Sequence, residues 1–234
     1  MTGTSSAQRC HLCLETISRL NDVEAMVMKP VKKLSFLEHG ISSLHGWIRS
    51  FEMCIHISYR LEFKEWRVTS LNRESYTNRK TLIQKLFRKE LGLLIDTPKP
   101  GGSGNSNDGN TARKFFRNPE CSSKITGIDL QLIIRLRNIL IGISCCVTLD
   151  SSKFRKYCHE TALHFTKLYN WYYMPTTVHK ILIHGGDIMK CSILPIGRMS
   201  EEAAEARNKD VSAYREKFSQ KSSRVKMNTD IFNR

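Results

Sequence analysis

The run DLQLIIRLRNILIGISCC, from Asp129 to Cys146, is the centre of the longest apolar stretch in the chain, Ile125 to Leu149. It is long enough to raise the question of a membrane span, yet Asp129, Arg135 and Arg137 interrupt it. Each of these charges would be costly in hydrocarbon, so the run is predicted to be a core helix and no membrane anchor. Asp129 stands where an N-terminal cap belongs. Two helices are expected downstream: one over Ser152 to Tyr169, and one that starts at Pro175 and carries Val178 to His184 into a break at Gly185-Gly186.

Upstream the rhythm is again helical. Ile17, Leu20, Val23 and Met26 recur at helical spacing within Glu15 to Val27. Leu34 to Leu44 reads as loop and short helix. The mixed periods from Trp47 to Val68, with no turn residue among them, favour one long helix over a strand. A further helix is expected over Thr77 to Leu94, with Leu82, Leu86, Leu91 and Leu94 on one side. Thr97 to Asn110 contains PKPGGSGNSNDG, which cannot pack a core and reads as a flexible connection. Beyond it a short helix from Ala112 to Phe116 is stopped by Pro119. A last helix over Ser200 to Phe218 has Ser200 as its cap and Glu201 and Glu202 in its first turn, where the dipole favours acids. Strand signals are scarce and no repeat is visible. The predicted class is mainly α, organised as an N-terminal half (1–96), a linker (97–110), a second helical half (111–199) and a C-terminal helix with a basic tail (200–234).

Composition limits the function classes. The chain has 234 residues, 40% of them hydrophobic, which is enough for a real core and excludes wholesale disorder. Lysine and arginine number 37 against 22 acids, a formal charge of +15, which favours a polyanionic partner, with nucleic acid ahead of a membrane surface. Eight irregularly spaced cysteines in a chain this long, opened by small polar residues, point to a reducing compartment and thiols free for structure or metal. No Asp-x-Asp pair, Walker loop, Ser-His-Asp order or G-x-G-x-x-G is present.

Two pairs have metal-ligand spacing. Cys10 and Cys13 form C-x2-C, in which one tight turn can aim both sulfurs at a single ion; His179 and His184 form H-x4-H. Five helical positions rotate the second histidine by about 140° from the first, and a helix ending at Gly185-Gly186 would let both reach one ion. The spacing alone leaves two readings open: a zinc site, or two small buried residues beside two ordinary histidines. Cys54, Cys121, Cys145, Cys146, Cys158 and Cys191, with His159 and His164, are read as structural. Three basic groups stand out: Arg79, Lys80, Lys85, Arg88 and Lys89; then Arg113, Lys114 and Arg117; then Arg215, Lys217, Lys221, Arg224 and Lys226. Together they favour phosphate contact. From its residues the chain is a basic, helical nucleic-acid binder with a candidate zinc site.

Four motifs, in order along the chain, carry a family resemblance: RCHLC (Arg9 to Cys13), DGNTARK (Asp108 to Lys114), VHKILIHG (Val178 to Gly185) and LPIGRMSEEAAEARNK (Leu194 to Lys209). Together they resemble the C-terminal part of a Transib-type transposase, a family that includes the more distantly similar catalytic subunit of the V(D)J recombinase. The resemblance spans about Cys10 to Arg234.

It implies a metal-dependent DNA cleavage and strand-transfer enzyme with an RNase H-like core, in which two Asp and one Glu bind Mg²⁺ or Mn²⁺. A helical, zinc-bound insertion lies between the second Asp and the Glu. The insertion's zinc ligands match Cys10, Cys13, His179 and His184. The catalytic Glu, two residues ahead of an Asn-Lys pair, matches Glu205. DNA as partner and a nuclear location follow from the same resemblance; a homodimer is left open. Both catalytic Asp positions lie upstream of the C-x2-C in the family, whereas here nine residues precede Cys10, none acidic. The expectation is therefore the zinc-bound helical insertion plus the final catalytic helix, with the core strands missing and no activity alone. A transposon-derived reading frame or a partial gene model would account for that. The rival expectation is a non-catalytic, domesticated DNA- or protein-binding protein.

Overall fold

A computed structural model of the chain describes residues 9–32, 34–38, 41–98, 104–200, 207, 211, 213–218 and 222–232. It is mainly helical, with no strand among the described residues; two isolated antiparallel bridges join Arg9 to Thr16 and Pro98 to Asn105. The chain divides into two compact units, residues 1–199 and 200–234.

Among its described residues the first unit holds eight α-helices: α1 (Val23–Val27), α2 (Ser43–Ser58), α3 (Arg73–Leu91), α4 (Gly109–Arg117), α5 (Pro119–Thr126), α6 (Leu130–Ser144), α7 (Ser151–Tyr169) and α8 (Thr176–Cys191). Side-chain caps start several of them. Ser42 accepts from His45 N, Asp108 from Thr111 N, Asp129 from Leu132 N, and Asp150 from both Ser152 N and Lys153 N. The run that decides the class is α6, capped by Asp129 as expected, with Leu132, Ile133, Leu136, Ile139, Leu140 and Ile143 buried. Its Arg135 is consumed by α7: Nε donates to Thr161 Oγ1 (2.9 Å), Nη2 to Tyr157 O and Glu160, and the guanidinium lies 4.2 Å from the Tyr157 ring centroid. No helix among the described residues is long and apolar enough to cross a membrane.

Several expected boundaries move, each for a local reason. The long helix expected over Trp47 to Val68 is α2, which stops at Ser58. Its periods are mixed because it is enclosed on nearly all sides, Met53, Cys54, Ile55 and Ile57 all being buried. The helix before Pro119 does stop, α4 ending at Arg117, but Pro119 is also the first residue of α5, where a missing N–H costs nothing. The rhythm of Glu15 to Val27 splits into a 3₁₀ turn (Ile17–Arg19) and α1, because Asp22 caps a new helix by accepting from Ala25 N (3.3 Å). Helices from both sides of the Gly/Pro-rich segment share one core, since α4 packs on α2. The segment's described flanks are tied together: Ser106 N donates to Thr97 O, and Asn107 exchanges hydrogen bonds with Asp96. Burial pushes the Asp96 carboxyl up, but His56, Asn107 and Lys80 outweigh it and hold it down at about 2.

The expected break at Gly185-Gly186 is absent: α8 runs unbroken to Cys191. The two glycines serve packing, because α7 and α8 lie antiparallel at very short range. A Cβ on Gly185 would stand 3.1 Å from Phe154 Cε1, and one on Gly186 only 2.6 Å from Arg155 Cβ and 3.0 Å from Ser151 O. Gly142 of α6 meets the other edge of the same ring, Phe154 Cε2, at 3.1 Å. Phe154 is thus wedged between α6 and α8 at two points where an added methyl would be tighter than an ordinary contact.

The second unit includes helical residues 213–217 and a helix over Arg224–Phe232. Arg215, Lys217, Arg224 and Lys226 are exposed. Glu201, Glu202, Glu205 and Lys221 lie outside the described residues.

An alanine in the middle of an ordinary helix is about 1 kcal/mol better than glycine. For Gly186→Ala the sign should reverse, with a loss of roughly 1–3 kcal/mol from overpacking, because the new methyl meets Arg155 Cβ and the Ser151 carbonyl. Urea unfolding of the purified chain measures this; an unchanged or raised midpoint would contradict the close α7–α8 contact.

Candidate metal centre

The cysteine half of the site is a tight turn. Arg9 and Thr16 pair across it, Cys10 N donates to Glu15 O (2.9 Å), and Leu14 N donates to Cys10 O (2.7 Å). Leu14 closes the turn with φ at +61°, a left-handed conformation unusual for a side-chain-bearing residue. The turn brings both sulfurs to one side, and the fully buried Leu12 anchors it in the core. Next to the turn, Asn21 fastens the segment to the α7–α8 connection: its Nδ2 donates to Asn170 O and Tyr172 O, and its Oδ1 accepts from Met174 N, all at 2.9–3.0 Å.

The histidine half is the first three turns of α8. His179 and His184 are both buried, with ring centroids 5.1 Å apart and planes at 78°. Cys13 Sγ lies 3.6 Å from His179 Nε2 across a separation of 166 residues. One ligand atom from each of Cys10, Cys13, His179 and His184 can be chosen so that all four lie within 4.8 Å of one another. A regular zinc tetrahedron with Zn–S near 2.3 Å and Zn–N near 2.05 Å has S···N edges of about 3.5 Å, the spacing of Cys13 and His179. The donor set therefore fits a metal ion such as zinc. A second observation agrees: His184 Nε2 and His179 Nδ1 are buried polar atoms with no hydrogen-bond partner among the described residues. A ligand nitrogen satisfied by an ion explains one such atom, where a pair of ordinary core histidines would leave both at a cost. Bringing His184 to the site needs no helix end; both rings reach it from an unbroken α8.

The electrostatics favour the ligating protonation states. The hydrogen bond from the Cys13 thiol lowers the Cys10 thiol, against the opposing effect of burial. The backbone N–H groups of Cys13 and Leu12 and the positive charge of Lys180 add to it, and Cys10 falls to about 6. Burial lowers His179, which keeps its imidazole neutral and able to coordinate. Neither Lys180 nor Asn21 stands out in the sequence. A lysine between two ligand positions of a helix, and an asparagine after a metal-type turn, are too common to single out.

The remaining sequence-derived residues are not brought to this centre. Lys85, Arg88 and Lys89 are exposed on α3, where Lys89 pairs with Glu90. Two members of that basic group do structural work: Arg79 donates to Ser58 O and Thr126 O, and Lys80 faces Asp96. Lys114 and Arg117 are exposed on α4 and Arg113 is half-buried. Cys54 and Cys158 are buried as expected of structural thiols, but Cys146 and Cys191 are exposed, since they lie beyond or at the ends of their helices. His159 faces Ile183 O, and His164 pairs with the capping carboxylate of Asp129. No family model matches the chain, and no curated protein matches it.

Purified chain should carry about one equivalent of metal, as one four-ligand site requires. Cys13→Ser and His184→Ala should each lose it and lower the thermal midpoint, as a strong chelator should for the wild type. Cys158→Ala, which removes a buried thiol outside the site, should cost stability but keep the metal. Elemental analysis beside thermal unfolding decides it: a Cys13→Ser chain with full metal content would refute the four-ligand site.

Proposed function

We propose that the chain is the zinc-bound helical insertion and final catalytic helix of a Transib-type transposase with an RNase H-like core, and that it binds DNA. The observation that carries this reading is the convergence of Cys10, Cys13, His179 and His184, because the resemblance assigns those four positions as one ligand set before any geometry is considered. Zinc with four protein ligands keeps no position open for substrate, so its part is structural. The chain's own residues then hold the C-x2-C turn against α8. They present the basic faces of α3 and α4, and the exposed Arg215, Lys217 and Arg224, to phosphates in solvent.

In this reading Glu205 supplies one of three carboxylates that bind Mg²⁺ or Mn²⁺, the ions that activate water and then a 3′-hydroxyl for in-line attack on phosphodiesters. In the same reading Glu201 and Glu202 play no part in the chemistry.

DNA affinity should be dominated by phosphate contacts, falling roughly a hundredfold or more between 50 and 200 mM salt and depending little on sequence. Titration of labelled duplex at the two concentrations measures it. Failure to bind at the lower salt would turn the reading towards a non-catalytic, protein-binding relative.

A separate test addresses Glu205. The chain alone should not nick DNA with Mg²⁺ or Mn²⁺, since one assigned carboxylate cannot hold two ions about 4 Å apart. Fused behind the Asp-bearing segment of an active relative it should support nicking, and Glu205→Gln should abolish that nicking while DNA binding and metal content persist. If Glu205→Gln stays active and Glu201→Gln is dead, the assignment is out of register by about one helical turn.

A further inference from the structure

The charges that interrupt the apolar run of α6 have different fates. Asp129 caps the helix and pairs with His164, and Arg135 is spent on α7. Arg137 is half-buried and, among the described residues, pairs with no carboxylate. It lines a cavity of about 400 Å³ where α2, α4 and α6 meet. Arg113 and Arg117, one turn apart on α4, line the same cavity, as do Ile141 on α6 and Trp47 on α2. Among the described residues no carboxylate lines it. Trp47 fixes two of its polar groups: the Arg113 guanidinium lies 5.8 Å from the indole centroid, and the indole N–H donates to Ser144 Oγ (2.8 Å). Arg117, the last residue of α4, also suits a helix C-terminus, but Arg137 lies in the middle of α6, where the dipole offers it nothing.

Two guanidinium groups, Arg117 and Arg137, beside one cleft with no carboxylate among its described lining residues concentrate positive potential there. The ligand that relieves this is a tetrahedral anion that takes paired N–H donors, and guanidinium matches phosphate oxygens better than any other side chain. We propose that Arg137 and Arg117 form a phosphate clamp between α4 and α6 that grips one phosphodiester of a bound DNA strand. This rests on the DNA-binding reading above and adds to it a defined site, in which Arg137 is the central new residue. The apolar rim, with Ile141 nearly half exposed, would lie beneath the sugar next to the gripped phosphate.

The test uses the metal-loaded full chain and a labelled duplex of about two helical turns, with affinity followed against salt. Arg117→Gln and Arg137→Gln together should lower affinity at least roughly tenfold and flatten the plot of log affinity against log salt by about two, one for each guanidinium withdrawn from the phosphates. Arg117→Gln alone, at an exposed position, should flatten it by about one, so the clamp is tested even if the double variant folds poorly. Lys167→Gln, a lysine of α7 away from the cavity, should leave the slope unchanged. A wild type that binds DNA steeply, with variants that keep its slope and affinity, would overturn the clamp and leave the DNA-binding reading standing. A wild type that binds no DNA would overturn both. Titration with inorganic phosphate and pyrophosphate separates the remaining source. Saturable binding of either that needs Arg137, beside an unaltered DNA slope in the variants, would make this a free-phosphate site and overturn the assignment to DNA.

Discussion

The clasp between the C-x2-C turn and the first turns of α8 holds together parts of the chain that are 166 residues apart in sequence. An ion held only by the folded chain would stabilise it by mass action. Metal affinity and global stability would then be coupled. The clasp is prepared by ordinary contacts: Asn21 makes three hydrogen bonds to the α7–α8 connection, and Leu12, Leu20 and Met26 are buried in the common core. The ligands meet because the backbone around them is already placed.

The second constraint is the close approach of α7 and α8. Phe154 sits against hydrogen atoms of Gly142 and Gly185, and Arg155 lies over Gly186. The pairing of Arg155 with Asp187 and the contact of His159 with Ile183 O keep the same two helices in register. The register of α8 on α7 also sets where His179 and His184 stand relative to the cysteine turn. A displacement of α8 by one residue would rotate both rings by about 100° away from the sulfurs. Gly185 and Gly186 thus help set where the candidate ligands stand.

How much of this was legible in the sequence depended on whether the signal was local. The α6 cap at Asp129, the α7 span and the burial of the apolar run followed from periodicity and capping chemistry, which act within a few residues. The spacings of Cys10 with Cys13 and of His179 with His184 were visible, but only the family resemblance joined the four in one ligand set, because nothing local reports a contact across the whole unit. Gly185-Gly186 was misleading for a related reason. A glycine pair has the same appearance whether it ends a helix or admits a neighbour, and only the position of Phe154 and Arg155 separates the two. The stop read at Pro119 held, but α5 was not foreseen, because proline both ends one helix and begins the next. Arg137 looked like one more interruption of an apolar run until the partners of Asp129 and Arg135 were known.

The order of the ligands along the chain has a consequence for synthesis. The cysteine turn is made first and α8 much later; at about 5–20 residues per second, roughly 8 to 33 seconds separate them on the ribosome. During that interval the two thiols are in solution without the imidazoles that complete their site, and a C-x2-C pair left open is a target for oxidants and for stray metals. An oxidant met at that stage would reach both thiols before the finished fold, in which they are buried, could protect them. Slowed translation between Cys13 and His179 would lengthen the exposure, whereas a chain past Gly185 can bury both sulfurs at once.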